Sequence, residues 1–254
     1  MKSGAASFVL CLSLAAVSTS AAQVDVVQHA DTPIVVDGQA LEHAWDAAEW
    51  RPLDKHMLGD LPEPDDFSGR FKLLWDEEHL YLLVEITDDL LIDQYADPLF
   101  RYWDDDCLEI FLDEDASGGL HQYDYNAFAY HIALDNQAVD IGGQLDDGSP
   151  EFLLLNNHLD SQWRRQPAKP HTVLWEVALK VFDDSYEHGA DSEPVALSAD
   201  KIMGFMLAYC DNDGSAEREH FLGSHEIEPV NGDKNLGYID AGVFGQIRLG
   251  APAD

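Results

Sequence analysis

Residues Arg70–Ile86, RFKLLWDEEHLYLLVEI, decide how the rest of the chain is read. Arg70–Asp76 and His79–Ile86 are two apolar-rich runs joined by Glu77-Glu78. In the second run Leu80, Leu82, Val84 and Ile86 fall on one face, the two-residue repeat of a strand whose one side packs on a core. Leu108, Ile110 and Leu112 repeat the alternation further on and turn Cys107, Glu109 and Phe111 to the opposite face. Trp175, Val177, Leu179 and Val181 do the same. Further strands are predicted at Ala127–Leu134, Phe152–Leu155, Val173–Val181, Gly204–Cys210 and Val243–Leu249.

Helical signals are sparse. Leu41, Ala44, Trp45 and Ala48 recur at helical spacing for about two turns, and Asp183–His188 could form one or two turns at most. Pro33–Gly38 is a short apolar run closed by an Asp-Gly turn signal. Arg51–Gly69, rich in proline and acidic residues, reads as loop. Many short strands with little helix predict an all-β fold, a two-sheet antiparallel β-sandwich of jelly-roll type with one or two short helical turns. With no repeat, low-complexity linker or composition break, residues 23–254 read as one domain.

Residues 1–22 read as an export signal. Lys2 precedes the apolar run Ser7–Val17, and Ser20-Ala21-Ala22 offers small residues for cleavage before Gln23. That run is shorter than the roughly 20 residues a membrane helix needs, so no membrane anchor is expected and the mature chain would be periplasmic or extracellular. Export leaves Cys107 and Cys210, which could form one disulfide or remain two buried thiols.

The chain of 254 residues carries 14 Lys and Arg against 49 Asp and Glu, a net charge of -35. Such a surface repels phosphate backbones and anionic lipid, which excludes nucleic acid as a partner. No G-x-S-x-G elbow, P-loop, H-E-x-x-H or C-x-x-C occurs. A carboxylate pair for glycoside hydrolysis, such as Glu109 with Asp106 or Asp113, could be picked by chance in so acidic a chain. Asp104-Asp105-Asp106, Asp113-Glu114-Asp115 and Asp211-Asn212-Asp213 offer the oxygen ligands calcium prefers, although each alone reads as a solvated turn. No organic cofactor is expected.

His29, His43, His56, His79 and His121 read as surface or turn residues. His131 differs, lying within a strand between Ala129 and Ala133, whose small side chains would leave the imidazole within reach of a ligand. Sugars ask for aromatic faces under their C–H surfaces and for polar groups around their hydroxyls. Trp103 beside Glu109 fits that requirement, and so does Tyr238 near Asn235, in a loop that Gly232 and Gly237 would tighten.

The stretches VVDGQALEHAWDAAEW, FKLLWDEEHLYLLVEITDD, YWDDDCLEIFLDED, WEVALKVFDD, MGFMLAYCDND and AGVFGQIRL, spanning about Ile34 to Leu249, resemble the family 9 carbohydrate-binding modules of the DOMON-like group. The resemblance implies a β-sandwich without catalysis, structural calcium, and a cleft where two aromatic rings clamp a terminal sugar of an oligo- or polysaccharide. By position it implies Trp103 as the first clamp ring and Tyr238 in place of a second tryptophan. Glu109 would be the acidic hydroxyl acceptor, Asn235 the loop amide, and His131 would stand where an arginine is common. Some DOMON-like sandwiches instead hold a b-type haem, for which Met203, Met206 and His131 would be the axial candidates.

Overall fold

A computed structural model describes residues 24–252; the export signal read at residues 1–22 lies outside them. Fourteen strands and three single 3-10 turns make up the regular structure of the described residues. In chain order the strands are β1 (Asp25–His29), β2 (Arg51–Leu53), β3 (Lys55–Gly59), β4 (Phe67–Trp75), β5 (Leu80–Asp88), β6 (Cys107–Asp113) and β7 (Phe128–Ala133). They continue with β8 (Ala138–Gln144), β9 (Pro150–Leu154), β10 (Leu159–Arg165), β11 (Thr172–Leu179), β12 (Ile202–Asp211), β13 (His220–Gly223) and β14 (Gly245–Leu249). The fold is a β-sandwich, as the alternation predicts.

One sheet runs β10-β11-β5-β4, with β2 beside β4; the other runs β14-β12-β6-β7-β8-β9, with β13 and β3 beyond the far half of β12. β1 joins them: Asp25–Val27 pair with β14, and Gln28 and His29 pair with β4. Both β1 pairings are parallel, so the sandwich is mixed at this seam and not purely antiparallel. The apolar phase of each long strand faces inward. Leu82, Val84, Trp175 and Val177 from the first sheet meet Leu108, Ile110, Tyr130 and Leu207 from the second.

Several short strands escaped the periodicity. β2 and β3 lie in the segment read as loop; each pairs with a single neighbour, and Pro52 is tolerated at such an edge. β10 (LDSQWRR) is polar on its outer phase and pairs only with β11. The helical spacing at residues 41–48 resolves into one 3-10 turn, His43–Ala47, which buries Ala44 and Trp45. Pro33–Gly38 joins no ladder, and Asp183–His188 forms turns without a helix.

Each sheet also has an outer face, and both are covered. On the first, Leu74, Tyr81, Leu83 and Ala178 pack under Ala44, Trp45 and Ala48. On the second, Cys107, Phe111, Ala129, Met206 and Ala208 pack under Phe244, with Leu236 and Tyr238 at the margin. Cys107 and Cys210 oppose each other directly across β6 and β12, and both are free, buried thiols.

Candidate carbohydrate-binding site

The outer phase of β6 and β7 carries ionisable groups, Glu109 and His131, where the inner phase is apolar but for the Tyr130 hydroxyl. Glu109 and His131 are register partners, and their side chains meet at 2.9 Å between Oε1 and Nε2. Arg218, from the segment before β13, adds a guanidinium, with Nη1 3.0 Å from the same oxygen and 2.9 Å from Cys210 Sγ. Its guanidinium also lies 4.2 Å over the Phe221 ring. Burial alone would raise the Glu109 carboxyl, but His131, Arg218 and the Cys210 thiol overcome that and hold it down to about 2. The His131 Nδ1 faces the Ala129 carbonyl at 3.1 Å.

Above this buried network opens a cleft of about 360 Å³, lined in part by Tyr102, Trp103, His131, Arg218, Asn235 and Tyr238. Its size falls within the roughly 300–1,000 Å³ common for small-molecule sites. Tyr102 stands edge-on to His131 at 4.7 Å, and Trp103 packs on Tyr102 and Phe152 at 5.0 and 5.8 Å between ring centroids. Gln122 and Asp140 complete the polar lining. Trp103 and Tyr238 are both half-buried, so each ring keeps an accessible surface.

Local chemistry fixes each wall. Arg101 adopts left-handed backbone (φ 54°) at the start of the 3-10 turn Tyr102–Asp104, and its Nε donates to Asp104 Oδ2 at 2.8 Å. Asp105 accepts from the N–H groups of Gln94 and Tyr95, and Asp106 from those of Ile92 and Asn212. The three aspartates therefore tie down the turn that carries Trp103. On the far wall, a Cβ at Gly237 would stand 2.7 Å from both Met206 and Phe111. Only glycine lets this loop lie so close to the sheet, with Tyr238 beside it. His121, read as a surface residue, is buried, and its Nε2 meets the Gly237 carbonyl at 2.8 Å.

The structure thus brings Trp103, His131, Asn235 and Tyr238 to one cleft, while Glu109 lies beneath it, 1% exposed. Sequence reasoning missed Arg218, Gln122, Tyr102 and Phe152. Arg218 had one usable signal: it is a basic residue flanked by Glu217 and Glu219 in a chain of few cations. Met203 packs between the sheets and Met206 on the outer face under the loop; neither lines the cleft. Both His131 nitrogens are already engaged, one by Glu109 Oε1 and the other by the Ala129 carbonyl.

The sequence matches the family described as "Carbohydrate family 9 binding domain-like" over residues 36–251. The chain belongs to this family of carbohydrate-binding domains. A family 9 module of Caldicellulosiruptor kristjanssonii, solved with cellotriose, is similar in fold with a TM-score of 0.65 at 19% identity, covering 91% of this chain and 96% of that one. The crystal structure of a protein from Bacteroides uniformis is also similar in fold, with a TM-score of 0.55 at 15% identity, over 89% and 97% of the two chains. Endo-1,4-beta-xylanase A of Thermotoga neapolitana is 31% identical over 217 residues, which are 85% of this chain and 17% of that enzyme. The match to the Thermotoga maritima enzyme is 30% identical over equal shares. This family 9 chain therefore spans about a sixth of the length of those relatives.

A second set of carboxylates lies at the edge of the same region. Asp88, Asp106 and Asp211 are buried and bring carboxylate oxygens within 4.8 Å of one another, with Asp66, Asp89 and Asp213 forming an adjoining set. Asp211 Oδ2 and Asp213 Oδ1 are sealed without a hydrogen-bond partner. Burial and mutual repulsion push Asp106 up to about 9, Asp211 to about 8 and Asp88 to about 6. An all-oxygen donor set with orphaned buried oxygens fits a calcium ion, which these aspartates would hold. Two of the three acidic runs, at Asp106 and at Asp211 and Asp213, contribute. Asp113 and Asp115 instead accept N–H groups of their own turn. The group Cys107, Glu109 and Cys210 is also close enough for a metal, but the Arg218 guanidinium already donates to Glu109 Oε1 and Cys210 Sγ.

Proposed function

We propose that this chain is a non-catalytic carbohydrate-binding protein that takes one sugar ring of a glucan or xylan oligosaccharide between Trp103 and Tyr238. The observation that carries this reading is the meeting of Trp103, His131, Asn235, Tyr238 and Arg218 from separate segments at a single cleft on the outer face of the second sheet. Aromatic faces suit the C–H surfaces of a pyranose. The amides of Asn235 and Gln122 and the free donors of Arg218 suit its hydroxyls. Glu109 acts from below, holding the His131 ring and the Arg218 guanidinium in position, and is not itself a hydroxyl acceptor. Family membership supports the reading, as do the cellotriose and glucose complexes solved for the Caldicellulosiruptor modules. Export to the periplasm or beyond, and structural calcium on the aspartate cluster, belong to the same proposal.

With one or two rings stacked, the dissociation constant should be micromolar to millimolar, in order of magnitude. Titration calorimetry with cellobiose and xylobiose tests the site. Trp103→Ala should weaken binding by at least about thirtyfold, the effect of losing a central aromatic anchor, with an unchanged circular dichroism spectrum. Undiminished heats from the variant would remove the cleft from the function.

A further inference from the structure

Two loops each carry one wall of the cleft and one part of the carboxylate cluster. The first, residues 101–106, holds Tyr102 and Trp103 at the cleft and ends in Asp106. The second, residues 211–218, starts with Asp211, includes Asp213 and ends in Arg218. Its ends are pinned together by the Glu219 N–H donating to the Asp211 carbonyl at 2.8 Å.

Asn212 locks one loop to the other. Its backbone N–H donates to Asp106 Oδ1 at 2.8 Å and its Nδ2 to the Asp104 carbonyl at 2.5 Å. Its Oδ1 accepts from the N–H groups of Gly214 and Ser215. The Arg218 N–H then donates to Asp104 Oδ1 at 3.2 Å. Trp103 therefore sits three residues from Asp106 in one loop, and Arg218 seven residues from Asp211 in the other, with both loops bridged at Asp104 and Asn212.

The cluster itself is poorly balanced without a cation. Asp211 is 1% exposed and its Oδ2 has no partner, while Asp88 and Asp106 point oxygens at the same space. Like charges so placed repel, and relief comes from a bound cation, from proton uptake, or from spreading of the loops that carry them.

We infer that calcium bound by Asp88, Asp106 and Asp211 sets the saccharide affinity of the cleft, through the paired loops 101–106 and 211–218. The inference rests on the carbohydrate reading above and adds its regulation. Coupling of this kind is reciprocal: whatever factor calcium brings to sugar affinity, sugar brings to calcium affinity.

The test uses the whole chain with Ca²⁺ and cellobiose as probes. Calorimetry should give cellobiose binding about tenfold weaker in chelator than in Ca²⁺, and Ca²⁺ binding tighter by the same factor in saturating cellobiose. Asp211→Asn should abolish the calcium effect and bind cellobiose like the chelated wild-type protein. Asn212→Ala should keep calcium binding but shrink the factor. Hydrogen exchange on the wild-type protein supplies a readout independent of sugar: Ca²⁺ alone should raise protection in residues 101–106 and 211–218. Calcium binding with unchanged cellobiose affinity overturns the coupling alone, and so does the absence of any calcium binding. Protection that rises with Ca²⁺ while no saccharide binds in either state overturns the carbohydrate reading, and the coupling falls with it.

Discussion

The two outer faces of the sandwich are built from the same parts and do different things. Each places a buried glutamate on a central strand, Glu176 on β11 and Glu109 on β6, both 1% exposed or less. Each sets a tryptophan near it, Trp45 or Trp103. On the first face the strap over the sheet seals the site. Trp45 Nε1 donates to Glu176 Oε1 at 3.2 Å, and the N–H groups of Asp37 and Gly38 donate to Oε2 at 3.1 and 2.8 Å. Gly38 has φ 73°, and a Cβ there would meet the Trp163 backbone at 2.8 Å, so only glycine closes this turn. Because its partners are neutral, burial wins and the Glu176 carboxyl is raised. Glu109 has cationic partners and is held low. A carboxylate capped by backbone N–H groups makes a seam. One that anchors Arg218 and His131 at the floor of an open cleft makes a binding surface.

This contrast can be broken in order of expected effect. Glu109→Gln removes the anion that partners the buried Arg218 guanidinium, which should cost about 3–5 kcal/mol of stability in chemical denaturation and abolish saccharide binding. Glu176→Gln keeps a carbonyl oxygen for its N–H donors and should cost far less, with saccharide affinity unchanged. Equal losses would show that the charge difference between the faces is unimportant. Trp45→Phe deletes one neutral hydrogen bond and should cost about 1 kcal/mol, again without touching the cleft.

The smallest effect is a change in pH dependence. Burial lowers the His158 imidazole to about 4, beside the Tyr130 hydroxyl at 2.9 Å. The unfolded chain then binds a proton that the folded chain does not. Stability from this group is full above about pH 6.5 and is lost as pH falls towards 4. His158→Gln should flatten the stability profile in that window relative to the wild-type protein; an unchanged slope would mean the ring is charged in the fold.

The difference between the faces also explains what the sequence disclosed. Inner-phase residues such as Leu80, Leu82, Val84 and Ile86 announce a core because a strand alternates every two residues. Glu109 and His131 stood out for the same reason, being polar in strands otherwise apolar. Edge strands β2, β3 and β10 were silent, since a strand with one neighbour can carry proline and charge. Arg218 and Gln122 reach the cleft through long-range packing; the acidic neighbours Glu217 and Glu219 set Arg218 apart in the sequence but do not place it at the cleft. His121 looked like a turn residue because its role, pinning the Gly237 carbonyl, lies 116 positions away. The aspartate run before β6 was legible as a loop device, but its partners at Ile92, Gln94 and Asn212 were not.

Chemical-shift mapping during a cellobiose titration tests most directly that the cleft above Glu109 is the saccharide site. The Trp103 indole N–H, Asn235 and Tyr238 should shift together and saturate with one affinity, while the Trp45 indole on the opposite face stays still. Shifts centred on Trp45, or on the separate groove beside Trp50 and Phe71, with Trp103 unmoved, would contradict it.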